Sequence, residues 1–227
     1  MDRSAMRATP ASAGDSTGDW AMVAVMAGLL ALLSYFCSVV FKPFPWSVGR
    51  ILFFAFGPLS IVSFAAFYEA TREDAGGILH SLGTLLLVVS GAVVNLMAVV
   101  QDTQFTVLGR RIRAAPDAAT GEALEEILWG VNVVQAGLDV SWDIFASLGT
   151  VLLAASLARH PAFRPIWCAL GAVVAALALL LNMVTFPQAP AAAGLVDLGP
   201  GVGAWYAITL LLFAGYLRGG AQERRLV

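Results

Sequence analysis

Residues 77–100 read GILHSLGTLLLVVSGAVVNLMAVV. The stretch holds no Asp, Glu, Lys or Arg, and its one ionisable group, His80, stands near its start. As an α-helix it is about 36 Å long, enough to cross a hydrocarbon core of roughly 30 Å. In lipid a backbone must satisfy its own hydrogen bonds, which a helix does within one segment. This stretch therefore predicts a transmembrane helix, and the runs on either side of it repeat the pattern.

Spans are expected near 21–41 and 50–69 before it, and near 139–158, 165–186 and 202–217 after it. Lys42, Pro43 and Pro45 end the first run, because proline lacks the N–H that a helix interior needs. Pro58 inside the second run predicts a kink. The run from Trp20 to Phe41 is longer than the 7–15 or so residues of a signal-peptide core, and no small-residue cleavage site follows it. It reads as the first permanent span. Composition agrees: the 227 residues are 59% hydrophobic and only 12% charged, where a soluble domain carries about 25% charge. Mean hydropathy is +0.81. The expected fold class is all-α, a polytopic membrane bundle of six transmembrane helices plus one amphipathic interfacial helix. A polar tail over 1–19 precedes the 20–218 membrane domain, and a tail over 219–227 follows it.

The interfacial helix comes from residues 122–159, too long for one span and too short for two. Leu124, Ile127, Leu128, Val131, Val134 and Leu138 share one helical face, with Glu122, Glu125, Glu126, Trp129 and Asn132 mainly opposite. Residues 122–137 thus read as an amphipathic helix, lying on the membrane or projecting from it, with Gly137 as a bend. Its expected contacts are headgroups or a protein partner. The preceding stretch from Thr103 to Gly121 is the longest polar interval between spans and holds Arg110, Arg111 and Arg113.

Several function classes are excluded. The net charge of -2 and the lack of a dense basic patch speak against nucleic acid. Lys42 is the only lysine and sits at a helix end, so no retinal Schiff base forms in the last helix. Cys37 and Cys168 fall inside apolar runs, and no Cys-x-x-Cys motif is present. No nucleophile elbow, P-loop or dinucleotide fingerprint appears, so the sequence calls for no cofactor. With six spans, basic residues near span ends divide eight to five in favour of cytoplasmic termini.

Ionisable groups inside spans are costly and are the first places to look for function. Asp139 and Asp143, four residues apart, project from one helix face and continue a polar stripe through Asn132 and Gln135. Two close carboxylates can share a proton or bind a cation. Position near the interface offers a plainer explanation for both, as groups that face headgroup water. Asn95 and Asn182 are amides on small-residue faces, where helix packing explains them as well as a polar lining does. His80 and His160 share one side of the membrane and are weak candidates for holding a metal or haem iron, but no second ligand motif accompanies either, so no metal site is expected. Trp129, Trp142, Trp167 and Trp205 fit interfacial belts.

Two passages carry a resemblance. One runs from Leu138-Asp-Val-Ser-Trp-Asp-Ile-Phe to the Ala-Arg-His-Pro-Ala-Phe that ends at Phe163. The other is Leu181-Asn-Met-Val-Thr-Phe-Pro with Gly-Leu-Val-Asp-Leu-Gly-Pro at 194–200. Over its second half the chain resembles small six-helix bacterial membrane proteins grouped as a domain of unknown function. The resemblance implies a bacterial inner-membrane location and a stand-alone bundle. It also implies Asp139, Trp142, Asp143 and Asn182 as recurring polar positions, without assigning them a role.

From these observations the leading expectation is a non-enzymatic membrane protein with a structural or interaction role. The alternative is a small-solute or ion transporter or channel in which Asp143 couples protons or cations. A lipid-modifying enzyme using His80 and an aspartate ranks third, because those groups are expected near opposite membrane faces.

Overall fold

A computed structural model describes residues 13–41 and 45–223. The Lys42–Pro43 break, most of the N-terminal tail and the final arginines lie outside these residues. Among the described residues the chain is all-helical, and six helices are long and apolar enough to cross a membrane. They are α1 (Ala13–Tyr35), α2 (Trp46–Ala75), α3 (Ile78–Arg113), α4 (Ala118–Leu157), α5 (Pro165–Thr185) and α6 (Gly199–Glu223). Each helix packs on the next in the chain, and α6 returns against α1.

Local chemistry sets the breaks. Gly76 and Gly77 separate α2 from α3, and Gly77 adopts a φ of 123° that only glycine takes readily. Pro116 precedes Asp117, whose carboxylate accepts the Thr120 N–H at 2.7 Å and caps α4. That bond holds the Asp117 carboxyl below its ordinary pKa. Pro165 opens α5 at a position where a missing N–H costs nothing. Asp197 accepts the Gly199 N–H at 2.8 Å and starts α6. Helix α1 ends in a π-helical turn over Phe36–Val40, closed by Phe41 N–H on Phe36 O at 2.8 Å.

The connection between the third and fourth spans differs from the expectation. The polar stretch from Thr103 is not a linker: α3 runs on to Arg113, and only 114–117 separate it from α4. Nor is 122–137 a separate surface helix, since α4 continues unbroken through Gly137 into the span. The two helices form an antiparallel hairpin, about 54 Å and 60 Å long at the helical rise. Each supplies a wall for the other, so the apolar face read from sequence is divided. Leu124, Leu128, Val131 and Leu138 are half-buried toward α3, while Ile127 and Val134 remain exposed. Asn132 turns inward as well and accepts a 2.7 Å hydrogen bond from Gln104 Nε2 of α3.

Small residues hold the bundle together. Ala21, Ala24, Ala27, Ala31 and Ser34 form the buried side of α1, while Leu29, Leu30 and Leu33 face outward. This is the arrangement expected where lipid is as apolar as leucine and close backbone approach supplies the attraction. At the α3–α4 crossing, a Cβ on Gly83 would stand 2.7 Å from Leu153 N and 3.0 Å from Gly149 O. Between α2 and α3, a Cβ on Gly57 would meet Asn95 Cβ and Gly91 O, both at 2.6 Å. Asn95 is thus part of a packing seam. The belt assignment for Trp205 is also corrected. It is buried (4% exposed), stacks near Trp167 and donates to Trp167 O at 3.0 Å.

Substituting Gly83 with alanine forces two backbones apart. Thermal unfolding in detergent is expected to show Gly83→Ala destabilised by about 1–3 kcal/mol. Gly130→Ala, which meets nothing within 4 Å, is expected to be neutral or stabilising by up to about 1 kcal/mol. Equal midpoints for the two variants would refute the close-packed crossing.

Candidate functional site

The polar residues of the spans collect at two opposite ends of the bundle. At the hairpin end, α4 presents Asp139 and Asp143 one turn apart. The α5–α6 connection brings Asp197 beside them, and the three carboxylates lie close enough to repel one another. Their fields converge on Tyr35 at the end of α1. Asp143 faces the Asn182 amide of α5. It also approaches the start of α6, since its Oδ1 lies 3.9 Å from where a Cβ on Gly199 would be. A side chain there would also crowd Asp197 Oδ1, at 3.1 Å.

Asn182 is the most informative member. It is 2% exposed, and its Nδ2 donates to Ala178 O at 3.0 Å. Its Oδ1 has no hydrogen-bond partner. An unmet buried acceptor costs about 1–3 kcal/mol, and Asn95 Oδ1 and Gln104 Oε1 in the helix seams are unmet in the same way.

Below this cluster a cleft of about 440 Å³ opens between α1, α2, α3 and α4. Asp139, Gln135 and Trp142 line it from α4, and Tyr35 and Ser38 line it from the end of α1. Its basic group is Arg50, which pairs with Asp102 at 3.0 Å. That pair cancels, so the remaining ionisable groups here, Asp139, Asp143 and Asp197, are all acidic. Among the described residues no group of three or more His, Cys, Asp or Glu is arranged to hold a metal ion. The carboxylates share an electrostatic field without converging on one point.

The opposite end contains both histidines. His80 is fully buried and ties three helices: Nε2 meets Thr71 Oγ1 of α2 at 3.1 Å, and Nδ1 meets Ser156 Oγ of α4 at 2.9 Å. Each hydroxyl also donates to its own helix, Thr71 to Phe67 O and Ser156 to Leu153 O. A neutral ring donates from one nitrogen and accepts on the other, and the hydroxyl facing the accepting nitrogen turns from its carbonyl to donate. His160 accepts the Ala162 N–H on Nδ1 at 3.1 Å and meets Asp74 Oδ2 through Nε2 at 3.4 Å. Both nitrogens of each ring are occupied, so neither histidine offers a lone pair to a metal.

Ser156, the α4 partner of His80, lies roughly 20 Å along α4 from Asp143. That distance separates the acid–base pair an enzyme would need within hydrogen-bond reach. Of the sequence-read residues, Asp139, Asp143 and Asn182 come together and Gln135 joins them through the cleft. Asn132 and Asn95 do not; they serve the α3–α4 and α2–α3 seams. Sequence reading missed Tyr35, Asp197 and the Arg50–Asp102 pair. Asp197 carried a usable signal, as an aspartate two residues before the glycine that opens a helix. Arg50 and Asp102 carried one too, as opposite charges at adjoining ends of consecutive spans.

No family model matches the chain, and no curated protein or solved structure shows significant similarity to it.

His160 lies in the 158–164 connection, outside the spans. Burial of its ring lowers its pKa below the usual 6.5, and Asp74 only partly offsets this. As pH falls through 6.5 the unfolded chain binds the proton first, so the stability contributed by neutral His160 is lost below that pH. The wild-type thermal midpoint in detergent is expected to drop as pH is lowered from 7 to about 5, and His160→Asn to show a flatter profile. Parallel profiles would refute the assignment.

Proposed function

We propose that this chain is a small membrane transporter or channel for protons or a monovalent cation, with Asp143 as the coupling group. The observation that carries the reading is the placement of Asp143 against the buried Asn182 amide, with Asp139 and Asp197 close by. Asp139 and Asp197 draw positive charge toward it, and the cleft at Gln135 and Trp142 supplies an approach from the hairpin end. The membrane in this reading is the bacterial inner membrane, as the resemblance implies, with both termini cytoplasmic on the distribution of basic residues.

A structural or interaction role is favoured by a different observation. The α3–α4 hairpin extends past the start of α2 and leaves Trp129 at 66%, Val134 at 62% and Val133 at 51% exposure. These surfaces suit a partner or the headgroup layer and are compatible with transport by the bundle.

Reconstituted vesicles with an internal pH dye test the first reading. Wild type is expected to dissipate an imposed pH or cation gradient faster than protein-free vesicles. Asp143→Asn and Asn182→Leu are expected to slow this at least tenfold, an effect of about 1.4 kcal/mol on the barrier. Asp117→Asn at the hairpin tip is expected to behave as wild type. Wild-type rates equal to those of empty vesicles, for protons and for sodium and potassium, would remove the transport reading and leave the interaction role.

A further inference from the structure

A second cavity, of about 500 Å³, lies on the outer side of the hairpin base. It is lined by Arg50, Phe105, Thr106, Arg110 and Arg113. Thr106, Arg110 and Arg113 stand at i, i+4 and i+7 on one face of α3, and Arg50 rises to meet them from the first turns of α2. Three guanidinium groups thus border one cavity whose lining contains no carboxylate.

Two of these arginines are held in place. Asp102, outside the lining, fixes Arg50 through its Nε at 3.0 Å, while Arg50 Nη2 donates to Thr106 Oγ1 at 3.2 Å. Arg110 Nε donates to Thr106 O at 2.9 Å, which pins its stem to its own helix. None of the ion pairs among the described residues takes Arg110 or Arg113. Glu122, Glu125 and Glu126 of α4 are exposed and outside the lining. The start of α2 adds the partial positive charge of a helix N-terminus with no side-chain cap.

Depth identifies the ligand. The uncharged stretch 51–68 of α2 is about 27 Å long, close to the thickness of the hydrocarbon core. Arg50 therefore sits at the edge of the hydrocarbon. Arg110 and Arg113 lie about 12–16 Å past it along α3, and long helical side chains lean back toward the helix start, as the bond from Arg110 Nε to Thr106 O shows. Guanidinium groups bind phosphate oxygens through paired N–H donors, which suits the phosphate of a headgroup at this depth. Phe105, 50% exposed at the rim, offers an apolar surface for the glycerol and acyl portion.

We propose that Arg50, Arg110 and Arg113 form a binding site for a phosphate group, presented by the headgroup of an anionic phospholipid. The site is distinct from the carboxylate cluster, carries the opposite charge, and stands or falls separately from the transport reading.

Native mass spectrometry of the full-length protein in detergent, with equal amounts of phosphatidylglycerol and phosphatidylcholine added, tests this. Wild type is expected to retain phosphatidylglycerol preferentially. Arg110→Gln/Arg113→Gln is expected to lose that preference by roughly 25-fold, about fivefold per arginine. Arg111→Gln, which removes the same charge outside the cavity, is expected to keep it. Millimolar inorganic phosphate forms the second arm. If it binds wild type in an Arg110- and Arg113-dependent way while phosphatidylglycerol is not retained, the lipid source is overturned in favour of free phosphate. If neither probe depends on Arg110 and Arg113, or if Arg111→Gln loses as much as the double variant, the site itself is overturned.

Discussion

The contact on which the rest of this structure depends is the backbone crossing of α3 and α4 at Gly83 and Gly149. Lipid gives apolar side chains no reason to leave it, so these helices associate by close packing and by hydrogen bonds across the seam. Two glycines facing each other let the backbones approach to distances that any Cβ would prevent. That approach aligns the helices along their length and carries the hairpin beyond the start of α2. Gln104 and Asn132 then pair where the apolar contacts thin out. The position of Asp139 and Asp143 follows, because they project from the face of α4 that the hairpin turns toward α1, α5 and the α5–α6 connection.

The bundle separates two kinds of buried polar group. At one end His80 is fully engaged by Thr71 and Ser156 and acts as a strut between α2, α3 and α4. His160 binds the α4–α5 connection to Asp74 and to an aromatic cluster of Phe163, Phe213 and Tyr216. At the other end, like charges are held near one another and a buried amide oxygen is left unmet. Satisfied networks rigidify a fold. The grouping of three carboxylates about the Asn182 amide is why the carboxylate end, and not the histidine end, is the proposed site.

Charge of both signs is also sorted across the hairpin base. Asp139 lines the cleft, with Asp143 and Asp197 near it, and the Arg110 and Arg113 side chains border an outer cavity. Arg50 stands between the two, paired with Asp102 on one side and bonded to Thr106 on the other. A single ion pair thus separates a region that attracts cations from one that attracts phosphate.

Much of this was legible from residue order. Runs such as 77–100 can only be stable in lipid as helices, so the number of spans and the all-α class follow from length and hydropathy. Breaks at Gly76–Gly77 and Pro116 follow from backbone chemistry. The spacing of Asp139 and Asp143 put them on one face, and Asn182 stood out as an amide inside an apolar run. Which residues those groups meet was not legible. The pairing of Asp143 with Asn182 joins positions far apart in the chain, and Asp197 and Tyr35 enter only through the packing of α6 and α1. The sequence left open whether 122–137 lies on the membrane or projects from it for a related reason: an amphipathic pattern records that one face is buried but not whether lipid headgroups or another helix buries it. Periodicity is a property of one segment, and it determined the helices of this protein; convergence is a property of several, and the tertiary structure alone decided it.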